Sequence, residues 1–192
     1  MTYETTTRVK NDPANEMRVI MPSTETAVTL GRETHFKMAR AVPAYLIVIV
    51  AGHLSYHEFA PGIGVYAEPE SLERSAYEFA EMPEQVAAAS ARFGDYKELW
   101  GLFNLVVMPP SFPVGGMENP GLVYVSPSII AGDRSLTSVV IHELAHAWSG
   151  NLVTNASWDY LMLNEGVTNY IEYKLVRLLL GDRRGDSHLA LA

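Results

Sequence analysis

The sequence contains no cysteine and few basic residues, and each shortage excludes a class of function. Without cysteine, the 192-residue chain can form neither disulfide bonds nor thiolate metal sites, so histidine and carboxylate side chains would have to hold any metal. The 14 Lys and Arg residues are outnumbered by 22 Asp and Glu residues, and the net charge is -8 at pH 7. No basic cluster offsets this charge, so we do not expect a nucleic-acid partner.

Long hydrophobic runs are also missing. The most apolar stretch, 44–51, is far shorter than the roughly 20 residues that a membrane-spanning helix needs. The N-terminus lacks the basic and then apolar pattern of a signal peptide. We therefore expect no membrane partner and a soluble protein located in the cytoplasm.

The hydrophobic pattern predicts an α+β fold with a core of ordinary size. Weak alternation before residue 40 indicates antiparallel strands, and three apolar runs predict buried strands at 45–50, 102–108 and 122–125. Between them, 70–93 has helical spacing with a break near Pro83, and Gly94 is expected to end this helix.

Two further helices are predicted in the C-terminal third of the chain. The first runs from Ser135, as the capping residue, to Ser149, and its buried positions are Leu136, Val140, Leu144 and Ala147. The second spans about 163–180 and ends at Gly181. Its apolar positions, among them Val167, Leu175 and Leu178, predict an exposed apolar face.

The first of these helices carries the motif His-Glu-x-x-His at residues 142–146. Because residues four apart lie one turn along the same helix face, His142 and His146 can bind one ion. Glu143 points about 100° away around the helix, which suits a general base acting on a metal-activated water. Glu165, at the start of the second helix, is the candidate third ligand of a single zinc ion.

The neighbouring polar and aromatic residues carry weaker signals. Glu172 lies two turns after Glu165 and could accept a hydrogen bond from a ligand histidine, although a solvated helix face is the alternative. His53 and His57 have no third partner and are interpreted as surface residues. The aromatic residues that flank the motif are interpreted as core packing; they are Trp148, Trp158 and Tyr160.

Taken together, three segments resemble the gluzincin aminopeptidases of the alanyl-aminopeptidase family. They are GGMEN at 115–119, HELAHAWSGNLVTN at 142–155 and WDYLMLNEGVTNYIEY at 158–173. Within that family, PPSFPVGGMENP at 109–120 and AGDRSL at 131–136 are most similar to the branch of leukotriene A4 hydrolase and aminopeptidase B. The similarity extends from about residue 43 to residue 180.

The resemblance implies a partial thermolysin-like zincin catalytic domain at 43–192, preceded by the end of an N-terminal β-domain at 1–42. It implies one Zn2+ ion and peptide substrates with a free N-terminus. It also implies that a strand along the cleft binds the substrate backbone and that Glu118 binds the α-ammonium group. The residues of this strand are Pro113, Val114, Gly115, Gly116, Met117 and Glu118.

The family also uses an oxyanion-stabilising tyrosine, an upstream glutamine segment and a C-terminal helical domain, for which this sequence has no matching segment. We therefore expect a truncated zinc aminopeptidase that lacks the remainder of its catalytic and C-terminal domains. Two alternatives stay open: a catalytically silent zinc-binding fragment, and a thermolysin-like endopeptidase. An epoxide-hydrolase side activity is implied by the resemblance alone.

Overall fold

The computed structural model describes residues 3–8, 17–22, 28–30 and 33–189, in which ten strands form three sheets. The strands are β1 (Tyr3–Arg8), β2 (Met17–Ile20), β3 (Val28–Leu30), β4 (Glu33–Met38), β5 (Val50–His53), β6 (Ser55–Ala60), β7 (Ile63–Ala67), β8 (Phe103–Val107), β9 (Gly116–Met117) and β10 (Leu122–Val125). The described part of the chain also forms six α-helices, which are α1 (Pro69–Glu78), α2 (Met82–Phe93), α3 (Tyr96–Trp100), α4 (Ser138–Ala145), α5 (Leu161–Leu180) and α6 (Asp182–Leu189). The predicted α+β class is confirmed.

The largest sheet has five strands in the order β6-β7-β8-β10-β9. Its centre is parallel, because β8 pairs in parallel with both β7 and β10, whereas β6 and β9 pair antiparallel at its two edges. Every residue of β8 and β10 is buried, which explains why both strands are apolar in the sequence apart from Asn104 in β8. Among the described residues, the short strand β9 has one edge paired with β10 and the other edge free of sheet partners.

The first strands are antiparallel, as the weak alternation predicts. β1, β4 and β3 form one small sheet, and β2 pairs with β5 to form another. Because β2 lies before residue 42 and β5 after it, a two-stranded sheet crosses the predicted domain boundary. The division at residue 42 stays a prediction.

The prediction of a strand at 45–50 is wrong. Ala44–Leu46 forms a 3₁₀ turn that starts after Pro43, and extended structure begins only at Val50. Within this run Leu46 is buried, but Ile49 is exposed. The Leu46 carbonyl accepts a hydrogen bond from Asn119 Nδ2 at 3.1 Å, so a side chain takes the place of a neighbouring strand.

The predicted break near Pro83 is confirmed, because the 70–93 region divides into α1 and α2. Pro83 is the second residue of α2, where its missing N–H removes no helical hydrogen bond. Gly94 follows the last residue of α2 with φ 111°, a conformation that favours glycine, and so ends the helix as predicted.

The predicted bounds of the next helix are wrong at both ends. Helix α4 is preceded by Thr137, not Ser135, and Leu136 is 44% exposed. Arg134 has φ 62°, and the Ser135 amide donates to Asp133 Oδ1, so this loop turns away from helical geometry. Regular helix ends at Ala145, and the chain then turns through residues 146–153.

One core joins the five-stranded sheet to α2, α4 and α5, which places the two motif-bearing helices against each other. Three of the buried positions predicted for the 135–149 helix are confirmed; they are Val140 and Leu144 in α4 and Ala147 just after it. Helix α5 begins two residues earlier than predicted and ends before Gly181. Val167 and Leu178 are exposed as predicted, but the prediction for Leu175 is wrong, since its side chain is fully buried in this core.

Candidate metal centre

The two histidines of the motif converge with Glu165 on one point. His142 lies on α4 and His146 directly after it, and their Nε2 atoms are 3.1 Å apart. Glu165 Oε2, from the first turns of α5, is 3.4 Å from His142 Nε2 and 3.6 Å from His146 Nε2. The packing of α4 against α5 therefore brings together three side chains that are up to 23 positions apart in sequence.

The outer nitrogen of each imidazole contacts an acceptor. His142 Nδ1 lies 3.0 Å from Glu172 Oε2, and His146 Nδ1 lies 2.9 Å from the Ser149 carbonyl oxygen. A carbonyl or an ionised carboxylate can only accept a hydrogen bond, so both Nδ1 atoms must donate. In the neutral rings this leaves two Nε2 lone pairs facing each other, an arrangement that a cation between them would stabilise.

The distances between the three donor atoms fit a zinc ion. Ligand atoms about 2.0–2.1 Å from a tetrahedral ion are about 3.3–3.4 Å apart. The observed separations of 3.1, 3.4 and 3.6 Å lie around this value. Two neutral imidazoles and one carboxylate also form the donor set expected of a catalytic zinc site, with the outer N–H of each ring engaged. These residues can therefore hold one Zn2+ ion.

A second set of contacts fixes the ring of His146. Thr168 Oγ1, on α5, donates to the Ser149 carbonyl at 2.9 Å and lies 3.1 Å from His146 Nδ1. Gly150 has φ 118°, and a Cβ atom there would lie only 2.9 Å from His146 Nδ1. The turn after α4 therefore needs glycine both for its backbone conformation and for its close approach to the ring.

The electrostatics of the ligands favour a cation. Burial lowers the pKa of His142, but its hydrogen bond to Glu172 and the charge of Glu143 outweigh this effect, so the pKa is raised. Burial also lowers the pKa of His146, but Glu165 and Glu118 outweigh this effect, so this pKa is raised as well. The hydrogen bond to His146 lowers the pKa of Glu165. The site therefore attracts positive charge, and protons compete with a metal for it.

Glu143 lies beside the donor set, in a different environment. Its side chain is 6% exposed, and burial raises its pKa to about 8; the charges of Glu118, Glu165 and Glu172 add to this effect, whereas His142 opposes it. The carboxyl group packs against Gly116 of β9, where a Cβ atom would lie 2.6 Å from Glu143 Cδ. Only glycine at position 116 leaves room for this carboxyl group.

Strand β9 and the donor set face the same cleft, which has a volume of about 490 Å³. Most residues that the sequence nominates for the site line this cleft, but Pro113 does not. The lining residues are Val114, Gly115, Gly116, Met117, Glu118, Ser138, Val139, His142, Glu143, His146, Glu165 and Glu172.

Glu118 is held by two residues that the sequence analysis did not nominate. The Tyr45 hydroxyl donates to Glu118 Oε1 at 3.2 Å, and Asn151 Nδ2 donates to the Glu118 carbonyl oxygen at 2.8 Å. Tyr45 lies within an apolar run that predicts a buried strand, which gives no reason to assign it to the site. Asn151 follows the motif in a segment whose sequence has no helical or strand periodicity. Neither contact can be seen in a single sequence, because each joins segments more than 30 residues apart.

The remaining predictions near the site have mixed outcomes. In the described residues, neither His53 nor His57 joins a group that could hold a metal. Trp148 is buried, as predicted, but the prediction of core packing is wrong for Trp158 and Tyr160, which are 62% and 54% exposed. Trp158 packs against the ring of Tyr45 instead, with ring centroids 5.0 Å apart.

None of the helices in the described part of the chain combines the length and the hydropathy that a membrane span requires.

Comparisons with known proteins bear on this site. The sequence is 46% identical over 147 residues to leukotriene A-4 hydrolase of Xenopus laevis, a match covering 77% of this chain and 24% of that protein. It is also 46% identical over 147 residues to aminopeptidase B of Mus musculus, covering 76% of this chain and 22% of that protein. The chain thus spans about a quarter of the length of these relatives.

The fold is similar to that of a solved structure. Native yeast LTA4 hydrolase superimposes with a TM-score of 0.83 at 35% sequence identity, over 94% of this chain and 28% of that chain. The same yeast protein is also known in complex with bestatin, again at a TM-score of 0.83. The α+β architecture is therefore that of part of a zincin catalytic domain.

The family itself follows from a match to a family model. Residues 77–191, more than half of the chain, match the peptidase family M1 domain. This segment contains β9, both histidines and Glu165, so the matched region and the candidate metal centre coincide. The chain belongs to peptidase family M1.

Proposed function

We propose that this chain forms the zinc-binding and amino-terminus-binding part of an aminopeptidase, which removes N-terminal residues from peptides. In this proposal His142, His146 and Glu165 bind one zinc ion and Glu143 is the general base. Strand β9 binds the substrate, and Glu118 recognises its α-ammonium group. One observation carries the proposal: the zinc donor set, a buried glutamate and the free edge of β9 share one cleft.

Glu118 provides the argument for an exopeptidase. One atom each of Glu118, Glu143 and His146 lie within 4.8 Å of one another, so the Glu118 carboxylate is next to the metal ligands. A carboxylate here can pair with an α-ammonium group one residue from the scissile carbonyl. It also lies where an endopeptidase would have to accommodate further uncharged backbone, so it disfavours the thermolysin-like alternative.

Strand β9 supports the proposal through its free edge. Its paired edge bonds to β10, with Tyr124 opposite Met117 and Val125 opposite Gly116. An extended peptide can add to the other edge through main-chain hydrogen bonds that do not depend on the substrate's side chains. The same strand passes directly over Glu143, so a peptide bound there would have its backbone next to the general base.

Glu143 has the environment of a residue that moves a proton. When bound, a zinc ion would supply Lewis-acid chemistry, polarising the scissile carbonyl and lowering the pKa of the attacking water. The Glu143 carboxylate then accepts a proton from that water and returns it to the leaving amine nitrogen. Its burial against Gly116 excludes bulk water from the carboxyl group while leaving it in the cleft.

The test is zinc content together with hydrolysis of an amino-acid anilide. We expect one zinc ion per chain and turnover of leucine anilide, with no turnover of the N-acetylated anilide. Glu143→Gln should retain zinc and lose at least about a hundredfold in kcat. Glu98→Gln, on an exposed surface away from the cleft, is the matched control and should behave like the wild type.

Each alternative predicts a different result. Zinc binding without Glu143-dependent turnover would favour the silent zinc-binding protein. Cleavage of N-acetylated peptides at internal bonds would favour the endopeptidase. Absence of zinc would contradict the metal assignment itself.

A further inference from the structure

The carboxylate of Glu118 has one hydrogen-bond donor among residues 33–189, and that donor is the Tyr45 hydroxyl at 3.2 Å. The pKa of Tyr45 is raised, first by burial and then by the charge of Glu118, so the hydroxyl stays protonated and can donate. We propose that Tyr45 is a positioning residue, which holds the Glu118 carboxylate in the orientation that receives the α-ammonium group of the substrate. This inference rests on the proposed function.

Tyr45 reaches Glu118 from outside the substrate cleft. The Tyr45 side chain does not line the cleft of the metal ligands; it lines a separate cavity of about 830 Å³ next to Trp158. The hydroxyl therefore reaches the Glu118 carboxylate from a residue that lines a different cavity from the one that holds the metal ligands. Tyr45 is therefore placed to orient the carboxylate and is not one of the residues that line the substrate cleft.

The position of Tyr45 is itself fixed by two contacts. Its neighbour in the 3₁₀ turn, Leu46, is buried in the core, and the Leu46 carbonyl accepts a hydrogen bond from Asn119. The turn is thus tied to Glu118 and to the residue after it. On the other side, the Tyr45 ring packs against Trp158, which lies in the 3₁₀ turn immediately before α5.

Without this hydrogen bond, the Glu118 carboxylate could rotate away from the position that receives the substrate's amine. Because one atom each of Glu118, Glu143 and His146 already lie within 4.8 Å of one another, a carboxylate free to rotate could reach the metal centre with a small movement and act as an extra ligand. It would also approach the buried carboxyl group of Glu143. The two carboxylates repel each other when both are ionised. A donor at Oε1 opposes both movements and leaves the carboxylate directed at the incoming amine.

The test uses two ligands that differ only in the α-amino group. Leucine hydroxamate and 4-methylpentanehydroxamic acid have the same metal-binding group and the same side chain, but only the first has an α-ammonium group. Their dissociation constants are measured by calorimetry with the zinc-loaded chain, so the readout does not require turnover. The variants are Tyr45→Phe, Glu118→Gln and the double variant, with Tyr77→Phe as the control for loss of an exposed hydroxyl.

The expected result is a selective loss. Tyr45→Phe keeps the ring against Trp158 and should weaken binding of leucine hydroxamate about five- to twentyfold, with less than about a twofold change for the analogue. Tyr77→Phe should change neither constant. In the Glu118→Gln background, Tyr45→Phe should add no further loss, because the two residues act as one unit.

Four outcomes would overturn the inference. If Tyr45→Phe weakens both ligands equally, Tyr45 only supports the fold; if it weakens neither, the hydrogen bond does not position Glu118. A full additional loss in the Glu118→Gln background would mean that Tyr45 acts by another route. If the wild type itself does not prefer the amine-bearing ligand, the proposed function fails, and the inference fails with it.

Discussion

At the scale of single residues, the chemistry of the site depends on which atoms of His142 and His146 are already engaged. Both Nδ1 atoms contact acceptors, and both Nε2 atoms face Glu165. The motif and its spacing were enough to nominate all three donors and Glu172 from the sequence. The contacts of Tyr45, Asn151 and Thr168 could not be predicted, because they depend on turns that place residues of distant segments side by side.

Glu172→Gln tests the outer contact of His142. The substitution removes the negative charge that the His142 Nδ1–H faces, so we expect zinc affinity to fall about tenfold or more. Competition with a chromophoric chelator measures this change. Glu73→Gln, an exposed residue on α1, is the control, and equal affinity in the two variants would show that the contact does not tune the metal site.

Glu143→Gln tests the burial of the proposed general base in the metal-free chain. The folded-state pKa of about 8 lies above the ordinary value of 4.5, so protonation favours the folded state and the wild type loses stability as the pH rises between these values. Glutamine does not ionise. The variant should therefore gain stability relative to the wild type by up to about 1.4 kcal/mol per pH unit, with the difference levelling off above pH 8.

Urea unfolding of the chelator-treated proteins at several pH values between 5 and 9 measures this difference. A difference that stays constant over this range would show that the Glu143 carboxyl group is not perturbed by folding.

At the scale of secondary-structure elements, the strands and helices that were predicted correctly are those that depend on local sequence signals. Strands β8 and β10, the division into α1 and α2, and most of α5 follow from apolar runs, Pro83 and two glycines. The failures have a common cause, since 45–50 and the start of α4 are shaped by long-range contacts. The loop before α4 is held by Glu78, which is fully buried and accepts hydrogen bonds from the amides of Gly132 and Arg134.

Glu78→Gln tests this anchor. The substitution removes the charge of a buried side chain and one of the two acceptors that the Gly132 and Arg134 amides use, so we expect a loss of about 1–3 kcal/mol in the free energy of unfolding. The comparison is Glu81→Gln, which breaks a partly exposed ion pair with Arg134 and should cost less than about 1 kcal/mol. Similar losses in urea unfolding of the two variants would contradict a special role for Glu78.

At the scale of the whole molecule, helix α5 carries a stripe of apolar side chains that are exposed to solvent. Leu163, Val167, Tyr170 and Leu178 recur at helical spacing and are each about half exposed. The sequence pattern predicted an apolar face here, but it did not reveal that Leu175 packs inward, because helical periodicity alone does not show how wide the buried side is. A stripe of this kind favours association in water.

We therefore expect the chain to self-associate at micromolar concentration. Leu178→Glu should shift the population towards monomer, because it places a charge in the stripe. Ala87→Glu adds the same charge at an exposed position of α2 and should leave the association unchanged. Sedimentation velocity distinguishes these cases, and a wild type that is monomeric at every concentration would refute the expectation.

The central claim is that α4 and α5 together form a site for one zinc ion, and zinc titration of the chelator-treated chain tests it most directly. The account predicts a stoichiometry of one for the wild type. It also predicts a loss of affinity of at least about a hundredfold for His146→Ala and for Glu165→Ala, since each removes one of three protein ligands. Zinc binding that is absent from the wild type, or unchanged in both variants, would contradict the account.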